Sequence, residues 1–174
     1  MEKINSLTGM TDLIETKADE NVLANKVFQT EKILKEIFTN YAMSEIRTPA
    51  LENTNLFKRS VGDTSDIVNK ELYTFSDKND KSITLRPEGT ASVMRSIIEK
   101  KLDGETHKLW YLGPMWRYER PQKGRYRQFN QAGIEILGYP EGAPEFEMIS
   151  LICELNRKLQ IRKPLIKINH LGDS

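Results

Sequence analysis

Apolar residues recur at helical spacing in two stretches of the chain. Five of them fall on one face of a helix near the N-terminus, with charged residues between them: Leu23, Val27, Leu34, Phe38 and Tyr41. This spacing predicts an amphipathic helix over about 19–41, with Asp19 as its N-cap. Four more repeat the pattern near the other end: Met148, Ile152, Leu155 and Leu159. They predict a final helix whose stripe, together with the single Cys153, packs in the core.

Alternating apolar and polar positions predict strands between these helices. The clearest is a hairpin of two long strands, 115–120 and 126–137, around the turn residues 121–124. Shorter strands are predicted at five further places: 45–50, 72–75, 82–85, 108–112 and 165–168. Gly113-Pro114 is predicted to end the strand before it, and a further helix is predicted over about 90–101. Strands joined by hairpins, with helices between the groups, indicate an α+β fold whose antiparallel sheet is flanked by helices.

Length and composition are those of a single soluble domain. The chain has 174 residues, of which 38% are hydrophobic and 29% are charged. No apolar run approaches the roughly 20 residues that cross a bilayer, the start lacks the layout of a signal peptide, and a single cysteine forms no internal disulfide. The two histidines, His107 and His170, show no metal-ligand spacing. We therefore expect a cytoplasmic protein with no membrane contact and no metal site of its own.

The net charge of +1 hides a local basic stretch between residues 108 and 127. Glu119 is its one acidic residue, against six basic ones: Lys108, Arg117, Arg120, Lys123, Arg125 and Arg127. Such a patch, which also contains several aromatic residues, suits a polyanion such as a nucleoside triphosphate or the phosphates of RNA. Charge alone favours a simpler interpretation, a solvent-exposed basic hairpin.

The period of two separates the side chains of the second hairpin strand into two faces. One face carries polar and aromatic residues: Arg125, Arg127, Phe129, Gln131, Gly133 and Glu135. The other face becomes apolar toward Ile134 and Ile136. The polar face is either a ligand-binding floor, on which Gly133 lets a ligand approach the backbone, or a solvent-exposed surface, and the pattern gives these interpretations similar weight. The sequence contains neither a dinucleotide-binding fingerprint nor a P-loop.

The hairpin also resembles a known motif. Arg117-x-Glu119, a basic loop and then Arg125-x-x-x-Phe129 resemble motif 2 of the class II aminoacyl-tRNA synthetases. The longer segment 113–129 resembles that motif as it occurs in histidyl-tRNA synthetases. Three further segments are similar to the same family: 8–12, 84–90, and 46–49, which matches the dimer-forming motif 1. A resemblance over nearly the whole chain is far more specific than a three-residue pattern.

This resemblance implies an ATP site. In this family the histidine carboxylate attacks the α-phosphorus of ATP, pyrophosphate leaves, and the histidyl-adenylate then acylates tRNA(His). Arg117 is expected on the α-phosphate and the histidine carboxylate, where it would stabilise charge in the transition state, and Arg125 on the γ-phosphate. Phe129 is expected to stack on adenine and Glu119 to read its edge, with Mg²⁺ bridging the phosphates.

The resemblance also implies a site for L-histidine. Glu88, Thr90 and Gln131 match the residues that hold the α-ammonium group, whose three N–H donors suit a carboxylate, a hydroxyl and an amide oxygen. Gly89 belongs to the same expected site. Glu135 matches the acid that accepts a hydrogen bond from the imidazole, which selects histidine over apolar amino acids. Taken singly, Glu88 has a simpler interpretation as a charge at a helix N-terminus.

Residues 1–174 would then be the N-terminal part of a class II catalytic domain. The family's motif 3 and anticodon-binding domain lie beyond the matched positions, so the chain alone is expected to be weakly active or inactive, and to dimerise through the motif 1 region. Two alternatives use the same fold: the histidine-sensing regulatory subunit of ATP phosphoribosyltransferase, and a module that senses uncharged tRNA within a kinase. The residues present at 88–90 and 117–129 favour the histidine–tRNA ligase.

Overall fold

Four helices and six strands make up the part of the chain that the structure, a computed structural model, describes: residues 3–16, 22–61, 71–120, 122–161 and 165–169. The helices are α1 (Val22–Asn40), α2 (Thr54–Val61), α3 (Thr90–Glu99) and α4 (Ala143–Lys158). The strands are β1 (Ser44–Glu45), β2 (Leu51–Asn53), β3 (Thr74–Ser76), β4 (Ser82–Leu85), β5 (His107–Trp116) and β6 (Gln128–Leu137). The three predicted helices are confirmed with slightly different bounds, whereas Asp19 and His170 lie outside the described residues.

The long hairpin is the centre of the fold. Strands β5 and β6 pair antiparallel from His107↔Leu137 to Trp116↔Gln128, and β1 pairs parallel with β5 at Leu109 and Trp110. The sequence predicted that Gly113-Pro114 ends the strand before it. This prediction is wrong, because β5 continues through both residues. Beyond Trp110 no strand of the described residues pairs with the other side of β5, and an edge strand tolerates a proline that lacks an N–H group.

A second, smaller sheet has the order β2-β4-β3 and is antiparallel throughout. It contains the predicted hairpin, whose turn is stabilised because the Asp77 carboxylate accepts N–H groups from Asn79 and Lys81. The strand predicted over 45–50 is wrong except at its first residue, since β1 ends at Glu45 and the next strand, β2, begins only at Leu51 and belongs to the other sheet. The α+β class and the mostly antiparallel pairing are confirmed.

Apolar residues bury both faces of the β5–β6 hairpin. On one face the core joins α1, β5 and α4 through Leu34, Ile37, Phe38, Met43, Trp110 and Leu151. The rings of Phe38 and Trp110 lie 5.2 Å apart, and Ile134 and Ile136 pack on this cluster. On the opposite face Val93 and Ile97 of α3 contact Tyr111 and Met115. The hairpin is therefore the middle layer of the molecule, and the N-terminus of α3 lies over its second face.

Two further predictions are wrong. Leu151 is the buried residue of α4, whereas Met148, Ile152 and Cys153 are exposed, because the helix presents a neighbouring stripe to the core. Residues 165–168 form no strand. They pair with no strand among the described residues, and an isolated strand is not stable in water.

No helix in the described ranges is both long enough and apolar enough to span a bilayer.

Candidate active site on the second hairpin strand

Arg117 and Phe129 lie together at the open end of the hairpin. Phe129 pairs with Met115, and just beyond that pair the backbone N–H of Arg117 donates to the Arg127 carbonyl at 2.9 Å. The Arg117 guanidinium lies 5.1 Å from the centre of the Phe129 ring, and its Nε donates to the Pro87 carbonyl at 2.9 Å. One hydrogen bond and one ring contact thus hold the positive charge beside an aromatic face.

Glu119 and Arg125 form a loose ion pair in the basic loop. Arg125 Nη1 lies 3.4 Å from Glu119 Oε2, and the arginine side chain is 63% exposed whereas that of Glu119 is 17% exposed. The contact does not have hydrogen-bond geometry, and Oε2 is buried without a hydrogen-bond partner among the described residues. A buried carboxylate oxygen of this kind is costly unless a donor reaches it, so it is a ready acceptor for a ligand N–H.

A third group of side chains lies where α3 begins. The Glu88 carboxylate accepts the backbone N–H groups of Thr90 at 2.5 Å and of Ala91 at 3.0 Å. Glu88 therefore caps the helix, as its simpler interpretation stated. Each of its oxygens still has a second lone pair, so capping and binding of an ammonium group are compatible.

Thr90 links this helix to β6. Its hydroxyl donates to Glu135 Oε1 at 2.7 Å. Burial raises the pKa of the Glu135 carboxyl, the nearby Glu88 charge raises it further, and the Thr90 hydroxyl opposes both effects. Glu135 is thus a half-buried acid with one fixed donor.

Gln131 supplies another polar group on the same face. Strand alternation places it between Phe129 and Glu135, opposite Gly113. Its Oε1 is buried and accepts no hydrogen bond from the described residues. An amide oxygen in that state is a ready acceptor for a ligand N–H.

The space at Gly133 is filled by the protein itself. Gly133 lies opposite Tyr111, and a Cβ atom at Gly133 would lie 2.2 Å from Tyr111 Cζ. A Cβ atom at Gly89 would lie 2.2 Å from the same ring. The idea that Gly133 admits a ligand is therefore wrong, because the close neighbour is Tyr111.

Arg127 also has a different role from the other polar residues of its predicted face. Its guanidinium stacks on the Tyr118 ring at 4.3 Å, and its Nε donates to the Glu119 carbonyl. Its backbone N–H donates to the Gly9 carbonyl at 2.8 Å. Arg127 fastens the N-terminal segment to the hairpin instead of facing the site.

In the described ranges no group of three His, Cys, Asp or Glu side chains is arranged to hold a metal ion. His107 Nε2 lies 2.8 Å from the Leu102 carbonyl, a contact within the fold.

Comparison with known proteins decides the family. The family model described as histidyl-tRNA synthetase matches residues 20–172. The chain belongs to the histidyl-tRNA synthetase family. The histidine–tRNA ligase of Geobacter sulfurreducens is 51% identical over 144 residues, which cover 82% of this chain and 35% of the relative. That of Prochlorococcus marinus is 45% identical over 174 residues, or 99% of this chain and 39% of the relative. The chain thus spans little more than a third of the length of these relatives.

Solved structures agree with this family. Apo histidyl-tRNA synthetase from Staphylococcus aureus matches with a TM-score of 0.70 and 38% identity, covering 90% of this chain and 35% of that one. A Bacillus halodurans protein described as an ATP phosphoribosyltransferase regulatory subunit/histidyl-tRNA synthetase has a TM-score of 0.72 at 21% identity, covering 91% and 40%. At that identity the likeness shows a shared fold and nothing more.

The histidyl-tRNA synthetase motifs converge in space only in part. Thr90 at the N-terminus of α3 contacts Glu135 of β6, Gln131 lies on the same face of β6, and Arg117 meets Phe129 at the end of the hairpin. Arg125 remains on the exposed loop. Sequence reasoning did not identify Tyr111 as part of this arrangement. The available signal was that Tyr111 could lie opposite Gly133 in a predicted hairpin, but this pairing can be recognised only when the register of the two strands is known.

Proposed function

We propose that this chain is the N-terminal part of the catalytic domain of a histidine–tRNA ligase. The whole protein would activate L-histidine with ATP and transfer it to tRNA(His). The observation that carries this proposal is that one sheet face carries three groups suited to the substrates: an arginine on an aromatic ring, a buried amide oxygen without a partner among the described residues, and a half-buried carboxylate. Family membership indicates which of these groups would bind ATP and which would bind histidine.

The ATP end of the site would lie at Arg117 and Phe129. In the first step a carboxylate oxygen of histidine bonds to the α-phosphorus while the bond from phosphorus to the pyrophosphate oxygen breaks. Because the Pro87 carbonyl already holds Arg117, its charge needs little reorganisation to stabilise the five-coordinate transition state. The buried Glu119 Oε2 would accept from the adenine amino group. Mg²⁺ carried on the phosphates would supply further positive charge.

Arg125 would meet the γ-phosphate only after leaving Glu119. Its 3.4 Å contact with that carboxylate is loose and its side chain is exposed, so exchanging one anionic partner for another has a small free-energy cost. Gly124, which precedes it, has a φ of +83°, a conformation that glycine adopts without strain.

The histidine end would lie at Gln131, Thr90, Glu88 and Glu135. The unpartnered Gln131 Oε1 would accept from the α-ammonium group, as would the remaining lone pairs of Thr90 and Glu88. The ionised Glu135 would accept the imidazole N–H. An apolar side chain would leave that carboxylate unpaired, and sites built on such a hydrogen bond discriminate by about 10⁴-fold.

ATP–pyrophosphate exchange on the full-length protein tests this function. Exchange should require L-histidine, and Glu135→Gln should reduce it by at least about 100-fold, since the charged acceptor is lost. Glu141→Gln, at an exposed glutamate before α4, is the matched control. Exchange that does not depend on histidine would contradict the proposal, and histidine binding without exchange would favour the regulatory subunit.

We also propose that the protein is a cytoplasmic homodimer that uses the motif 1 region. The apolar stripe of α1 is occupied within the chain by Trp110 and Leu151. Support therefore comes from the neighbouring sheet, where Leu51 on the edge strand β2 is 45% exposed and Phe75 is 47% exposed. Sedimentation velocity should show that the wild-type protein is a dimer and that Leu51→Glu weakens the dimer. A wild-type protein that is monomeric at about 100 μM would contradict the proposed dimer.

A further inference from the structure

Arg86 connects the two sheets of the molecule. It follows β4 of the smaller sheet, and the chain then continues through Pro87 to the start of α3. The Arg86 N–H group donates to the Ala50 carbonyl at 2.9 Å, and the Arg86 carbonyl accepts the Trp116 N–H group at 3.1 Å. The backbone of this residue therefore joins the segment before β2 to the end of β5.

The Arg86 guanidinium adds three hydrogen bonds in two directions. Nη1 donates to the carbonyl and to the hydroxyl of Thr48, at 2.8 and 2.9 Å, and Nε donates to the Pro114 carbonyl at 3.2 Å. Nη2 lies beside Gly113, where a Cβ atom would be 3.1 Å from it. A planar fork of donors suits this arrangement, because its nitrogens keep a fixed angle between them, whereas lysine has one nitrogen on a flexible stem.

The segment that Arg86 fixes is also the segment that holds Arg117. Arg86 accepts the N–H group of Trp116, and the next residue, Pro87, accepts Nε of Arg117 at 2.9 Å. Two successive residues thus contact two successive residues of the hairpin. Pro87 is fully buried, and because proline has no N–H group, the backbone before its carbonyl is held by the hydrogen bonds of Arg86.

We infer that Arg86 is a positioning residue, which fixes the Pro87 carbonyl and through it the direction of the Arg117 guanidinium. This inference rests on the proposed function, in which Arg117 stabilises the charge that develops at the α-phosphorus. Such stabilisation depends on donors that are already in place, and a misplacement of about 1 Å can cost about 100-fold in rate. Loss of the Arg86 fork should therefore slow the chemical step more than it weakens substrate binding.

The test measures ATP–pyrophosphate exchange by the full-length protein carrying Arg86→Lys, at a temperature where the variant is folded. The lysine retains the charge and removes the fork. The kcat should fall about 10- to 100-fold, while KM for ATP and for L-histidine should each change by less than about 3-fold. A kcat like that of wild type, or a loss confined to KM, would overturn the inference.

Arg95→Lys is the matched control. Arg95 forms ion pairs with Glu52 at 2.8 Å and with Glu99, so it fastens α3 to β2 by another arginine fork. The same chemical change here should lower the melting temperature and leave kcat within about 2-fold of wild type. If it reduced kcat as much as Arg86→Lys, the effect of Arg86 would be general destabilisation and the inference would be wrong.

A double-mutant cycle shows whether Arg86 acts through Arg117. Arg117→Lys keeps a positive charge but removes Nε, the atom that binds the Pro87 carbonyl. In that background Arg86→Lys should lower kcat by no more than about 2-fold, since the connection is already broken. Two effects that multiply independently would contradict the inference.

Thr48→Val keeps the inference testable if Arg86→Lys does not fold. It removes the hydroxyl that accepts from Nη1 and leaves the Thr48 carbonyl and Arg86 itself in place. The kcat should fall by about 2- to 5-fold, as expected for the loss of one hydrogen bond from the fork. An unchanged kcat in this variant would again overturn the inference.

A measurement without substrate separates this inference from the proposed function. The Nε–H group of Arg117 donates to a carbonyl, so NMR should show that its proton exchanges slowly with water in the wild-type protein. The exchange should be at least about 5-fold faster in Arg86→Lys and unchanged in Arg95→Lys. Faster exchange in a protein that does not activate histidine would refute the proposed function alone, and an unchanged rate in Arg86→Lys would refute the inference.

Discussion

Replacing Gly133 with alanine would place a methyl group where it overlaps the Tyr111 ring. The new Cβ would lie 2.2 Å from Cζ and 2.3 Å from the hydroxyl oxygen, about 1.3 Å short of an ordinary carbon–carbon contact of about 3.5 Å. The ring cannot retreat by that distance, because on its other side it already occupies the space of a Cβ atom at Gly89, which would lie 2.2 Å from the ring. The substitution therefore requires the helix and the strand to separate.

The size of the effect follows from two opposing terms. Alanine in a strand interior is favoured over glycine by about 0.5–1 kcal/mol through backbone entropy. Overpacking a confined site costs about 1–3 kcal/mol and occasionally more. Because both sides of the ring are blocked, we expect the upper part of that range, a net loss of about 1–2 kcal/mol. For a chain of this length this corresponds to a decrease in melting temperature of about 2–8 °C.

Urea denaturation of the chain measures this loss directly. Gly104→Ala is the matched control, since no atom lies within 4 Å of a Cβ at that position, and its stability should change by less than about 0.5 kcal/mol. Tyr111→Leu should relieve much of the Gly133→Ala penalty. If Gly133→Ala were as stable as wild type but failed to bind histidine, the glycine would serve the ligand after all and the argument from the ring would be wrong.

Three further substitutions test other parts of the structure. Burial raises the folded-state pKa of Glu135, so ionisation of this carboxyl opposes folding above that pKa, and the penalty disappears as pH falls below the unfolded pKa. In urea denaturation Glu135→Gln should therefore be at least as stable as wild type at pH 7, with a smaller advantage at pH 4. A variant that is less stable than wild type, and more so at pH 7 than at pH 4, would contradict the raised pKa. Gln131→Met removes a buried acceptor that has no partner among the described residues, so thermal unfolding should show unchanged or higher stability while titration with histidine shows lost binding. A clear drop in melting temperature would mean that the Gln131 amide oxygen has a hydrogen-bond partner in the folded protein. Trp110→Ala empties the contact with Phe38 and should cost about 3–5 kcal/mol in urea denaturation, and a loss below about 1 kcal/mol would place Trp110 outside the core.

Local patterns were sufficient for much of this fold. The helix α1, the β3–β4 hairpin and the two faces of β6 follow from periods of 3.6 and 2 that the backbone imposes on neighbouring residues. Separating Ile134 and Ile136 from Glu135 needed only strand alternation, and the core shows that separation.

Local patterns failed where a partner element decided the outcome. Residues 165–168 alternate like a strand, but no neighbouring strand pairs with them in the described part of the chain. The stripe of α4 is rotated toward Leu151, because the positions of α1 and Trp110 determine which side of that helix is covered.

Residue order and short repeats were enough to establish the family, the class of fold and the side of β6 that carries polar groups. The folded structure was needed to show that Gly89 and Gly133 enclose Tyr111 and that Arg127 packs on Tyr118. These contacts join different segments of the chain. Their distances depend on strand register and on how closely the helix approaches the sheet, and no local repeat contains either quantity.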